Sequence, residues 1–277
     1  SDLLAQGTPA ARPAPWPRIE VDALVWQDAI EAMQAGRLTL LSVWGEIGRV
    51  HMALLEEPGP PHDLEDADVA VGGTALPGTA PPIAVLSLEC ADGNYPSIGA
   101  HHPPAIRLER AMRDLFGLNP VGLADTRPWL DHGRWDGDTP PAASYPFLPV
   151  DGEGLHQIPV GPVHAGIIEP GHFRFTADGE TVVRLEQRLG YVHKGVDALL
   201  AGAPIERAHR IAGRISGDST VAYGWAFSQA VEAALGVVVP DRALHLRAVM
   251  AELERIANHL GDFGAICNDA SFSIMLA

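Results

Sequence analysis

The sequence predicts an α+β protein: a small α/β domain first, then a β-hairpin followed by a bundle of helices. Three observations carry this. Helix-spaced and strand-like runs alternate up to Gly117. Residues 119–150 are then dense in proline and Asp/Gly turns, the composition of a boundary. Beyond a short strand-rich stretch, only helical periodicity follows. The domains are therefore expected at 1–140 and 150–277, and 277 residues suit two domains better than one.

Residues 7–18 are Pro-rich and read as an extended lead-in. Val21 to Ala35 has helical spacing, with Leu24, Val25, Ala29, Ile30 and Met33 on one side and Gly36 as a stop. Leu38–Trp44 and Arg49–Leu55 read as strands joined by a turn at Gly45-Glu-Ile-Gly48. A Gly/Pro/Asp-rich stretch, 57–82, precedes a third strand, Ile83–Cys90. Pro103 and Pro104 then open a helix whose apolar face is Ile106, Leu108, Met112 and Leu115, closed by Gly117. The second half begins with a hairpin, His156–Ala165 and Gly171–Phe175, and a further strand, Thr181–Leu185. Three helices follow at Ile205–Arg214, Val221–Leu235 and Asp241–Leu260. In the last, Leu246, Val249, Leu253, Ile256 and Leu260 repeat at bundle spacing, with Asp241 as cap and Gly261 as stop.

Composition excludes several classes. With 47% apolar and 19% charged residues a sizeable core can form, so wholesale disorder is out. No apolar run approaches the roughly 20 residues of a membrane span. A net charge of −16 opposes general nucleic-acid binding. Cys90 and Cys267 are too few and too distant for a disulfide framework. Lys194 is the sole lysine among 19 basic residues, which suggests a GC-rich coding genome. Ser1 opens the chain without a methionine or a signal-peptide pattern, so a trimmed cytoplasmic protein is expected. The apolar, uncapped Ser271–Ala277 reads as a chain that continues.

Few residues offer chemistry. His101, His102, His156, His164 and His172 lack the spacing of a zinc or iron site, so hydrogen-bonded or surface roles are expected. Glu169 lies in an apolar stretch flanked by Gly and Pro. Desolvated there, it would relay protons at neutral pH; as a turn residue it would pair with Arg174 or His172. Arg214-Ile-Ser-Gly-Asp-Ser219 is a polar knot between two helices, where Ser219 is placed to cap the following helix and Gly217 to permit a turn. A nucleophilic serine would need His209 as base, yet no Gly-x-Ser-x-Gly elbow surrounds either serine. Neither a Gly-x-Gly-x-x-Gly nor a Walker pattern occurs.

Three stretches resemble the large subunit of complex-I-like, group 4 [NiFe] hydrogenases such as formate hydrogenlyase: Ile158–Phe175, Arg188–Gly195 and Glu252–Asp269. The first half, through Tyr95-Pro-Ser-Ile98 and Glu109–Gly117, resembles the small α/β subunit of respiratory complex I that some members fuse ahead of the large one. The fold this implies is a truncated [NiFe]-hydrogenase large subunit behind that α/β domain. In the family, the motif aligned with Arg214–Ser219 is Arg-Ile-Cys-Gly-x-Cys, whose thiolates hold nickel and iron; here those positions are Ser216 and Ser219. A serine hydroxyl is a hard, weakly acidic oxygen that does not replace a bridging thiolate. No metal or other cofactor is therefore expected on this chain. The complex I version differs too, since its quinone-site tyrosine and histidine would align near Gly217 and Ile168.

Glu169 matches the hydrogenase glutamate that gates protons, and Arg214 the arginine that opens the motif. The resemblance implies an electron-transfer subunit, peripheral on the cytoplasmic face of the inner membrane, partnered by an iron–sulfur subunit and membrane subunits. A non-catalytic scaffold that docks the iron–sulfur partner is the first alternative; a true [NiFe] hydrogenase ranks last, because it requires the thiolates that Ser216 and Ser219 replace. Exposed apolar surface is expected where partners pack, and a homodimer could cover it.

Overall fold

The computed structural model describes residues 8–9, 16–56, 83–132 and 145–275. The Pro-rich lead-in falls largely outside these, as do the 57–82 stretch and much of the proline-dense boundary. The chain divides into two compact units, residues 1–143 and 144–277, and the protein is α+β.

In the first unit, β1 (Thr8–Pro9), β2 (Arg18–Val21), β3 (Leu38–Glu46), β4 (Arg49–Glu56) and β5 (Ile83–Glu89) form one sheet in the order β1-β2-β5-β4-β3. All neighbours are antiparallel except β2 and β5, which run parallel. β6 (Asn94–Pro96) and β7 (Asn119–Val121) make a separate parallel pair. Strand alternation sends Val50, Met52 and Leu54 of β4 and Ala84, Leu86 and Leu88 of β5 to one face. There they meet Trp26 and Ile30 of α1 (Ala23–Gln34) and Met112 of α2 (Ile106–Phe116). Trp26 is fully buried. Its indole donates to the Pro96 carbonyl at 3.0 Å and meets the Tyr95 ring edge-on at 6.3 Å.

Two sequence expectations shift here. The helix does not start at Val21, because Arg18–Val21 is a strand, and Asp22 caps α1 by accepting from the amides of Leu24 and Val25. A four-residue strand whose partner lies beyond residue 82 leaves no local signal. α2 closes as expected, on Gly117 in the left-handed region at φ 68°. Its buried face, however, is Glu109, Arg110 and Met112, whereas Leu108 is exposed.

Glu109 accepts from the Ser97 hydroxyl (2.8 Å) and from the amides of Ile98 (2.7 Å) and Gly99 (2.9 Å). Burial pushes its carboxyl up, opposed by those bonds. Arg110 donates to the carbonyls of Arg127 and Pro128 and to Asp125, and lies 4.9 Å over the Trp129 ring. On the outer face of the sheet His51 is buried among Trp44, Arg18, Glu46 and Ser87, its Nδ1 2.8 Å from the Ser87 hydroxyl. Burial and the neighbouring Arg18 lower its pKa to about 4.

The second unit opens with an antiparallel sheet in the order β10-β9-β8, from β8 (Leu155–Val160), β9 (His172–Asp178) and β10 (Thr181–Arg188). Four helices follow: α3 (Val196–Leu200), α4 (Ile205–Ala212), α5 (Thr220–Leu235) and α6 (Asp241–Asp269). The short α3 has no counterpart in the sequence reading, being too brief to show a period. α6 is longer than expected and runs through Gly261 to Asp269. Gly261 and Gly264 each cost the helix about 1 kcal/mol, and the residues between and after them are mostly weak helix formers, so the continuing intrahelical hydrogen bonds, not propensity, carry α6 past Gly261. Its N-cap is Pro240, with Asp241 the first helical residue instead.

α6 has two faces of opposite character. One binds α5: Arg247 donates twice to the Glu232 carboxylate, at 2.9 and 2.5 Å, which holds that carboxyl below the usual range. The other carries Leu246, Val249, Leu253, Ile256 and Leu260, each more than half exposed. The 3-4-3-4 repeat is thus an open seam rather than a buried core.

Candidate functional site

The loop between β8 and β9 holds Glu169. Its base is pinched shut: Gly171 N donates to the Pro162 carbonyl (2.8 Å), and His164 Nε2 lies 2.7 Å from the Gly171 carbonyl. Gly161 permits this. It sits at φ 83°, and a Cβ there would collide with the Gly171 carbonyl oxygen. The loop projects Ile168 and Glu169 outward, with the Glu169 side chain 59% exposed. The expected desolvation is therefore not met in this chain. The local pairing with Arg174 or His172 is not met either: Arg174 lies over the Phe147 ring at 3.9 Å, and the His172 ring is tilted against the same ring.

Glu169 pairs instead with Lys194, the only lysine, at 3.8 Å. Both ends are exposed, so the pair contributes well under about 1 kcal/mol. Lys194 also donates to the Ile215 carbonyl at 3.0 Å, which ties the Glu169 loop and the β10–α3 loop to the 214–219 knot.

In the knot, Gly217–Ser219 is a 3₁₀ turn, and Ser219 N reaches back to the Ser216 carbonyl. Ser216, in extended conformation, and Ser219 bracket this turn. Ser219 occupies the N-cap position of α5 but makes no side-chain capping bond. Glu254 of α6 caps α5 from across the interface, accepting from Val221 N (2.5 Å) and Ala222 N (3.1 Å). One turn later, Asn258 donates to the Asp218 carbonyl at 2.5 Å. Arg214 is exposed and forms no ion pair among the described residues. His209, the candidate base, lies against Gly224 and Phe227 of α5, not on either serine.

Beside the knot lies a cleft of about 580 Å³, lined by Ala165–Ile167, Asp218 and the Asn258, Gly261, Asp262 and Ala265 side of α6. Among the described residues no three His, Cys, Asp or Glu side chains gather to hold an ion. The knot offers two hydroxyls and the Asp218 carboxylate but no thiol: Cys90 belongs to the other unit, and Cys267, on α6, does not line the cleft. This set does not fit a thiolate-bridged nickel–iron centre.

Glu169 and the knot are legible in the sequence, whereas Lys194, Glu254 and Asn258 emerge as their partners only in the fold. Their signal was present. All three lie in the stretches that carry the resemblance, and Glu254 and Asn258 are polar residues four apart, opposite the apolar repeat.

No family model matches the chain. Individual relatives do. Hydrogenase-4 component G of Escherichia coli is 34% identical over 209 residues, 69% of this chain and 38% of that protein. Formate hydrogenlyase subunit 5 of the same organism is 34% identical over 197 residues, 64% of this chain and 35% of its own length. An NADH-quinone oxidoreductase subunit of Dehalococcoides mccartyi is 33% identical over 110 residues, 40% and 30% of the two chains. The chain is a homologue of these hydrogenase and NADH-quinone oxidoreductase subunits. It spans less than two fifths of the first two relatives' own length. None of its described helices is long and apolar enough to cross a membrane.

Proposed function

We propose that this hydrogenase-large-subunit homologue serves electron transfer in a complex-I-like, membrane-associated oxidoreductase. It acts as a peripheral subunit on the cytoplasmic face of the inner membrane, beside an iron–sulfur subunit and membrane subunits. The observation that carries the reading is the meeting, at one knot, of the three stretches that carry the resemblance: Glu169 and Lys194 from one side, Glu254 and Asn258 from the other. In this reading Glu169, exposed beside the cleft and tethered by one lysine, exchanges protons with solvent, and Arg214 presents positive charge to an incoming partner or substrate. Ser216 and Ser219 ligate no metal.

The deciding experiment is elemental analysis of the intact complex from its native host. Iron without nickel is expected, with the iron on the partner subunits. One nickel per copy of this chain would refute the metal-free reading. The scaffold alternative is favoured by the same serine pair. Under it Glu169→Gln leaves turnover of the assembled complex unchanged, whereas a proton-exchanging Glu169 predicts a fall of tenfold or more.

A further inference from the structure

The serine pair leaves a mechanical question. Where two thiolates share an ion, the ion cross-links the turn that carries them to the rest of the protein. Here the turn is cross-linked by side chains. From one side Lys194 fixes the Ile215 carbonyl at 3.0 Å, one residue before Ser216. From the other, Asn258 fixes the Asp218 carbonyl at 2.5 Å, one residue before Ser219. Glu254, one turn from Asn258 on α6, takes the first free amides of α5. The 215–222 segment is therefore gripped at both ends by elements far from it in the chain.

We infer that Lys194 and Asn258 form a metal-independent clasp that fixes the Ser216–Ser219 turn, doing with two side-chain-to-backbone hydrogen bonds what a shared ion would otherwise do. Two features make the clasp efficient. Each bond ends on a backbone carbonyl, so it constrains the turn whatever residues occupy 216 and 219. Lys194 brings a charged donor, which strengthens its bond relative to a neutral one. Its exposed ion pair with Glu169 is a by-product and adds little. The clasp concerns this chain alone, so its test is independent of whether the assembled complex transfers electrons.

The test is amide hydrogen exchange in the full chain, read at Arg214, Ile215 and Ser219, whose amides bond to Ile211, Ala212 and Ser216. Lys194→Met and Asn258→Ala should each speed exchange there roughly tenfold, the loss of one good hydrogen bond. Lys194→Arg should restore most of the protection, and Glu169→Gln should leave it unchanged. Added nickel, and separately a chelator, should alter nothing in the unsubstituted chain. Unchanged exchange in both Lys194→Met and Asn258→Ala would overturn the clasp, as would slower exchange on adding nickel. Lys194 is a surface residue, so its variant reports even if Asn258→Ala fails to fold.

Discussion

The two units bury apolar residues very differently. Among the described residues the first unit buries Trp26, Met52, Leu86, Ile98 and many others, whereas the buried apolar side chains of the second are three alanines, Ala177, Ala208 and Ala212. The second unit is not poorer in large apolar side chains. It carries them outward, above all along α6. The first unit closes a helix layer over its own sheet. The second is held by polar clamps, Arg247–Glu232, Glu254 and Asn258, and leaves its apolar seam open. The second unit thus leaves its largest apolar surface outside its own core, whereas the first unit buries its own.

That contrast can be broken by matched truncations. Leu86→Ala, at a fully buried site, should cost the first unit about 2–5 kcal/mol in denaturant unfolding. Leu253→Ala on the open seam should stay within roughly 0.5 kcal/mol. Equal costs would mean the seam is covered in solution. Glu109→Ala strands three buried donors, one hydroxyl and two amides, and should destabilise the first unit by about 3 kcal/mol.

His51 gives the first unit a pH dependence. Folding lowers its pKa from 6.5 to about 4, so between these values the unfolded chain binds more protons. Stability is complete above about pH 6.5 and falls with pH towards 4, by up to about 3 kcal/mol. Urea titrations at pH 7 and pH 4 should show that loss, and His51→Gln should remove most of it. Glu254→Ala, which uncaps α5, should cost the second unit about 1 kcal/mol. The smallest effect belongs to Glu169→Gln, below about 0.5 kcal/mol in thermal unfolding. Any change it brings to turnover is then chemical rather than structural.

Periodicity made α6 and the β3–β4 hairpin legible, because each element's own residues carry its pattern. What failed depended on distant partners. Arg18–Val21 is a strand only because β5 accepts it. Glu109 and Arg110 are buried on α2 because the 97–99 loop and the 125–128 segment offer them hydrogen bonds, so a face drawn from apolar residues alone selected Leu108 wrongly. At the candidate site, chemistry named Glu169 and the serines, yet the desolvation expected of Glu169 came from its apolar neighbours in sequence. The adjacent Ile168 points outward with it and is itself 54% exposed, while Ile167 turns to the cleft.

The parallel pairing of β2 with β5 also has a kinetic side. It matches Arg18 with Val85, with a helix, a hairpin and the 57–82 stretch in between. Closing so large a loop precedes any reward from the contacts it enables, and such topologies fold slowly. The second unit is built from sequential strands and neighbouring helices, whose contacts are local. During refolding from urea, amide protection in α5 and α6 should return before amide protection in the paired strands β2 and β5. The half of the molecule with the deeper core is thus the last to arrive.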